Sequence, residues 1–363
     1  MSDNPKEAEE KMAKAIFISA DCWLCVFDLL PPRQLGLGIA LISHRFDYYV
    51  DEHFKTRKWT LGFIRIWSKI GENGTKEMEI IKSYHGKPLP IPQIPMPRKV
   101  TGFKWITINF IDQNVIAFLR RFRPIFDSFC PINLTIDMHN DRITEFFLRN
   151  IWPMIVKNIH GLRLPVRFFN NLRKFVPSIL NDCPSLRFFL FNRFSCDLFP
   201  EFPCDDSAAA SDGQALAKWL FTARPDNLPK VFKCYFVMNE WKNWLFKIAA
   251  VEAAFASASS PANFIVVFWF NLSRAGPVQT FYSTKEYTRE QLVLKRADQS
   301  DHFLLVCSPI ARDESKWTKW ENEAIDWEIC DQWNQIHIQI FGEYEIGKGL
   351  LDATPGPSDQ QKK

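Results

Sequence analysis

Four apolar-x-apolar triplets constrain this chain more than anything else in it: Ile106-Thr107-Ile108, Leu134-Thr135-Ile136, Leu162-Arg163-Leu164 and Leu186-Arg187-Phe188, whose first residues step by 28, 28 and 24. Between them lie amphipathic stretches at 115–126 (VIAFLRRFRPIF), 143–156 (ITEFFLRNIWPMIV) and 168–180 (FFNNLRKFVPSIL). Strand and helix alternating at a steady period are the mark of a solenoid. The spacing therefore predicts strand–helix units near 28 residues long. Each such unit buries its apolar face only against its neighbours.

Further along the rhythm loosens. Candidate strands at Phe232-Lys233-Cys234, Phe264-Ile265-Val266, Phe303-Leu304-Leu305 and Ile336-His337-Ile338 are separated by 32 to 46 residues, with helical patterns at 213–221 and 239–255. The fold class expected is α/β, an irregular strand–helix repeat over 100–345. A compact α/β or α+β domain with no open curve fits the same periodicity. In a repeat, the middle residue of each triplet projects away from the helices. Those positions are Thr107, Thr135, Arg163, Arg187 and Lys233, and their three cations suggest a face for an acidic or phosphorylated peptide. An ordinary solvated face carries such residues equally well.

Residues 18–46, ISADCWLCVFDLLPPRQLGLGIALISHRF, read as three short helices. Ser19 can cap the first, with Asp21 at the positive end of its dipole. Trp23, Val26, Phe27 and Leu30 recur at steps of three and four, and Pro31-Pro32 stops the helix. Helices at 35–41 and 43–54 follow. The apolar side chains exceed what so small a unit can bury, so it wants a partner. Next come two strand candidates, 59–67 and 78–81, joined by the Asn-Gly pair of 72–75. The tract 87–99 (KPLPIPQIPMPRK) must be extended, as a stiff spacer or a ligand for an aromatic groove.

The order of these N-terminal residues resembles the F-box, the adaptor-docking module of cullin-RING ubiquitin ligases. Val26-Phe27 and Leu30-Pro31-Pro32 match its first helix and turn, Gln34-Leu35 stands for its Asp-Leu, and Ile42-Ser43-His44-Arg45-Phe46 for its last motif. Ile18-Ser19 replaces the usual Leu-Pro start, and the interval from Leu35 to Ile42 is one residue longer. The next hundred residues look like those of the expanded nematode F-box families, and the later repeat resembles leucine-rich repeats without their Asn/Cys corner. The resemblance implies docking on a Skp-type adaptor and cullin scaffold through Ile18, Val26, Phe27, Leu30, Leu35, Leu37, Ile42 and Phe46. It also implies that the repeat domain selects a protein target. The organisation expected is a tail at 1–15, an F-box-like module at 16–57, a hairpin and spacer at 58–99, the repeat domain at 100–345 and a tail at 346–363.

Composition narrows the partners. A net charge of +4 is too weak a balance to make nucleic acid or an anionic membrane the main partner. The first fifteen residues are polar, and the longest apolar run, 264–270, is far short of a membrane span, so a cytoplasmic or nuclear place is expected. Nine scattered cysteines suit a reducing compartment. Cys22-x-x-Cys25 lacks a second pair, which predicts buried thiols rather than a metal site. The seven histidines form no metal or hydrolase pattern, and Gly36-x-Gly38 lacks the third glycine of a dinucleotide fingerprint. No cofactor, metal or catalytic residue is expected. Two other classes remain open: a scaffold with a degenerate F-box, and an enzyme of an unrecognised kind.

Overall fold

The computed structural model describes residues 18–30, 34–70, 76–81, 100–127, 131–138, 140–191, 198–235, 241–269, 280–297, 302–332, 334–347 and 350–351. The turn at 72–75, the proline tract, Pro31-Pro32, the tail at 1–15 and residues 352–363 lie outside them; Ile346, expected in the second tail, is instead a core residue that bridges Ile111 in parallel. The chain divides into two compact units, with the boundary in sequence between Trp59 and Thr60.

In the first unit α1 spans Ala20–Asp28, and the Ser19 side chain accepts from the Cys22 backbone N–H at 3.4 Å. The expected second helix is instead a wide π-helical turn, Leu35–Ile39, followed by a tight 3-10 turn, Ala40–Ile42. Gly36 and Gly38 explain the difference, since two glycines in five residues remove most of the preference for a regular α-helix. Ser43 then caps α2, His44–Thr56, accepting from the Phe46 N–H at 3.4 Å. Phe27, Leu35 and Val50 form the core, with Trp23, Leu30 and Phe46 packed around them. Arg57 closes the unit, donating to the Phe27, Asp28 and Leu30 carbonyls at 3.3, 3.1 and 3.4 Å. Carbonyls at the end of a helix lack the intrahelical partners of its interior, and Phe27 O also accepts from the Leu30 N–H at 3.1 Å.

The second unit is mixed α/β, built on one 12-stranded, mostly parallel sheet. Its strands are β1 Trp59–Ile70, β2 Lys76–Ile81, β3 Val100–Ile108, β4 Ile132–Met138, β5 Ile159–Leu164 and β6 Phe188–Phe191. The remainder are β7 Lys230–Tyr235, β8 Phe264–Trp269, β9 Phe281–Lys285, β10 Glu290–Arg296, β11 His302–Pro309 and β12 Gln335–Ile340. The order across the sheet is β2-β1-β3-β12-β4-β5-β6-β7-β8-β11-β10-β9. From β4 to β8 the strands are sequential, as a strand–helix repeat requires, and parallel. Two departures break the simple series. The last strand, β12, is inserted in parallel between β3 and β4, and β8 to β11 end the sheet in antiparallel pairs. The hairpin expected to precede the domain is part of it, because β2 and β1 form the opposite edge of the same sheet.

Helices α3 Gln113–Arg121 and α4 Arg123–Phe126 follow β3, and α5 Asp141–Asn150 and α6 Trp152–Ile155 follow β4. Each pair reads in sequence as one helix. Pro124 and Pro153 divide them, since proline is accepted in a first turn but not inside a helix. Helix α7, Val166–Phe175, ends before Pro177, and α8 Asp212–Phe221 and α9 Trp241–Ser257 complete the series. Connections between parallel strands share one hand, so a chain advancing steadily across a sheet lays its helices on a single face. Accordingly Phe118, Phe147, Phe169, Trp219 and Phe255 from these helices join Ile106, Leu134, Leu162, Phe189, Phe232 and Val266 from the strands in one large core. This is the back of the sheet.

The front is treated differently because of β12. Returning from β11 to the slot beside β4 means crossing six strand spacings, about 29 Å. The chain makes that crossing over the front face. Helix α10, Glu314–Asp326, has 13 residues and covers about 20 Å of it. It packs Trp317 and Ala324 against Ile265, Val267, Leu304 and Val306. Beyond it Trp327 stacks on Phe188, ring centroids 4.4 Å apart and planes 5° from parallel. Gly161 makes room for that indole, as a Cβ there would lie 2.7 Å from the Trp327 ring. Asn334, at φ 56°, then locks β12 in its slot: its N–H donates to the Phe103 carbonyl at 2.9 Å and its Oδ1 accepts from the Phe103 N–H at 2.9 Å.

Candidate recognition face

The crossing chain leaves the front of the sheet half covered and half open. The in-register row Thr107, His337, Thr135, Arg163, Leu190, Lys233, Val267 runs across both halves. Three expected positions, Thr107, Thr135 and Arg163, are half-buried in the open half. His337, supplied by the inserted β12, separates the two threonines.

The other two expected positions are corrected by the structure. Arg187 and Lys233 are buried, at 5% and 3% exposure, and do not line an open face. Arg187 stands at the entry to β6 and grips α10 through paired hydrogen bonds to Glu323, 3.1 and 2.8 Å long. The Lys233 ammonium donates to the Ile325 and Trp327 carbonyls at 2.8 and 3.0 Å, with Glu328 3.8 Å away. Cations suit this place because the last carbonyls of a helix lack partners and carry its negative pole. At the other end of the cover, Lys295 of β10 meets Glu321 at 2.6 Å, and Arg312 reaches the same carboxylate at 3.3 Å. His160 lies beside the clasp, 5.4 Å from the Phe188 ring. Burial, with Arg187 and Arg224 nearby, pushes its pKa down to about 4.

In the open half, a groove of about 360 Å³ runs along β1, β3 and β12. Among the described residues, Phe63, Ile64, Ile81 and Trp105 provide its apolar lining, Thr107, His337 and Gln339 its polar groups, and Arg65 a charge. Trp105 and His337 lie with ring centroids 6.3 Å apart. Burial lowers the His337 pKa, opposed by Asp137 and reinforced by Arg163. Arg65 is held by a relay: its Nε donates to Asn109 Oδ1 at 3.2 Å, and Asn109 Nδ2 donates to Gln339 Oε1 at 3.1 Å. Phe63, Arg65, Asn109, Trp105 and His337 were not among the site residues expected from sequence, although His337 is the middle of the Ile336-His337-Ile338 triplet. The alternation of WTLGFIRIW places Phe63, Arg65 and Trp67 on one side of β1, which is the signal available for three nearby positions.

The eight expected adaptor-docking residues divide by side of α1 and by helix. Val26 and Ile42 are exposed, at 44% and 62%, and Ile18 is exposed as well. Phe27 and Leu35 are fully buried and are core residues, a correction to their place on a docking surface. Leu30 and Phe46 are partly buried against that core, and the Leu37 side chain lies outside what is described. Leu29 and Leu41, not singled out before, are the most exposed large apolar residues described in the unit, at 85% and 77%. Cys22 and Cys25 are exposed rather than buried. At 100° per residue both fall opposite Phe27, the side chain that turns inward.

Among the described residues no group of three or more His, Cys, Asp or Glu is arranged to hold a metal. No described helix is long and apolar enough to cross a membrane. No protein family, curated protein or solved structure matches this chain.

Proposed function

We propose that this chain is a substrate-recognition subunit of a Skp–cullin–F-box ubiquitin ligase. Its N-terminal helices would dock on the Skp-type adaptor, and its irregular, leucine-rich-repeat-like sheet domain would hold the protein to be modified. The observation that supports the reading best is the N-terminal unit itself. It has a closed core of Phe27, Leu35 and Val50, yet it leaves Ile18, Val26, Leu29, Leu41 and Ile42 exposed within the stretch whose residue order resembles an F-box. So many exposed aliphatic side chains on so small a unit are what a docking surface needs. The chain then supplies proximity, bringing a target near a conjugating enzyme carried by another subunit. The target side is the open half of the sheet front.

Co-purification with a Skp-type adaptor and cullin tests the reading, comparing the wild type with Val26→Asp and Leu41→Asp. Both positions are exposed, so the helical unit keeps its core in each variant. Capture by the wild type and loss in the variants is expected. A wild type that captures no adaptor would make the chain an interaction scaffold.

A further inference from the structure

We infer that the groove along β1, β3 and β12 binds a peptide segment in which an aromatic side chain lies next to a carboxylate. The inference deepens the target-binding half of the reading above and rests on it. Four observations carry it. The cavity, about 360 Å³, has the volume of a small-ligand site and holds one aromatic side chain with its neighbours. Its walls include the exposed ring of Phe63 and the indole of Trp105, against which a planar group stacks or packs edge-on. Among its described lining residues the Arg65 guanidinium is the only formal charge, with no carboxylate to oppose an anion. Finally, the Trp105 and His337 rings lie side by side along the groove, centroids 6.3 Å apart, so two rings line the same stretch of it.

Arg65 is prepared for this role by its surroundings. Asn109 holds Nε, and Gln339 holds Asn109. The two terminal nitrogens then remain as a fork of fixed direction, the geometry that grips a carboxylate through parallel hydrogen bonds. The contrast with Arg187 is instructive, since its fork is closed on Glu323. An aromatic residue beside a carboxylate arises in two ways: inside a chain next to Asp or Glu, or as the last residue of a chain with its free terminus. Both present the same groups to the groove.

Fluorescence anisotropy on the full chain separates these sources. The probes are labelled peptides with an internal Glu-Phe-Glu core and amidated end, a peptide ending in Phe with a free carboxylate, and controls with Lys-Phe-Lys and Glu-Ala-Glu cores. Binding of one or both carboxylate-bearing Phe peptides is expected, weakened about tenfold or more by Arg65→Glu and less by Arg65→Lys, with both controls weak. Trp105→Leu should erase the advantage of Phe over Ala. Equal binding of the Lys-Phe-Lys peptide, no effect of Arg65→Glu, or no binding by either Phe peptide overturns the inference. Adaptor capture measured on the same preparations keeps the two claims apart. Capture without peptide binding leaves the receptor reading standing and removes this one, and peptide binding without capture does the reverse.

Discussion

One in-register row of residues crosses both halves of the sheet front, and the halves differ in what the strand cations do. In the covered half Lys295, Arg187 and Lys233 all reach α10 or the segment just after it. In the open half Arg65 is bonded, among the described residues, through Nε to an asparagine on its own side of the sheet. A cation on a sheet is therefore not a binding residue by its type. Its role depends on whether the returning chain passes over it, which is set by where β12 inserts.

The largest effect that would break this contrast is removal of the cover's anchor. Trp327→Ala should cost about 3–5 kcal/mol in urea unfolding, because the ring fills the space between Phe188 and Gly161. A loss below about 1 kcal/mol would mean that the cover is only loosely held. Arg187→Met comes next, at about 2–3 kcal/mol, since it leaves Glu323 and the Pro229 carbonyl without their donor. Glu323 is partly exposed, which keeps the cost at the lower end. A double-mutant cycle with Glu323→Gln measures the pair directly, and additive costs would show that the bidentate contact contributes nothing.

Acid should loosen the covered half by a smaller amount. The folded-state pKa of His160 is depressed from 6.5 to about 4, so below pH 6.5 the unfolded chain takes up a proton that the folded chain refuses. Stability from this group is complete above pH 6.5 and is lost as pH falls to about 4, roughly 2 kcal/mol after allowance for the ring's partial exposure. Thermal melts of wild type and His160→Gln across that window should converge as pH falls. Parallel curves would remove His160 from the account. Smallest of all, Arg65→Glu should change stability by less than about 0.5 kcal/mol, being an exposed residue off the cover. A large loss there would make Arg65 a structural group like Arg187.

Much of the back of this sheet was legible in the sequence. The triplets fall in β3, β4, β5, β7, β8, β11 and β12, and the helical patterns between them are helices whose ends shifted where prolines divide them. The fourth triplet shows the limit. Leu186-Arg187-Phe188 has the right pattern, but β6 starts at Phe188, leaving Arg187 at its entry. Helix α10 escaped notice because one of its buried positions is Glu321, a carboxylate made tolerable by Lys295 and Arg312. Without α10, Arg187 and Lys233 read as open-face cations. The insertion of β12 was equally hidden, since periodicity records which residues form strands and not which strands meet. In the N-terminal unit the order of elements was legible, whereas sorting Phe27 and Leu35 from Val26 and Leu41 needed the packing.

Hydrogen–deuterium exchange of the full chain with and without a Glu-Phe-Glu peptide tests the division of the front face most directly. The account predicts added protection in β1, β3 and β12 around Arg65, Trp105 and His337, with α10 unchanged. Protection centred on α10 and β7, with none along the groove, would contradict it.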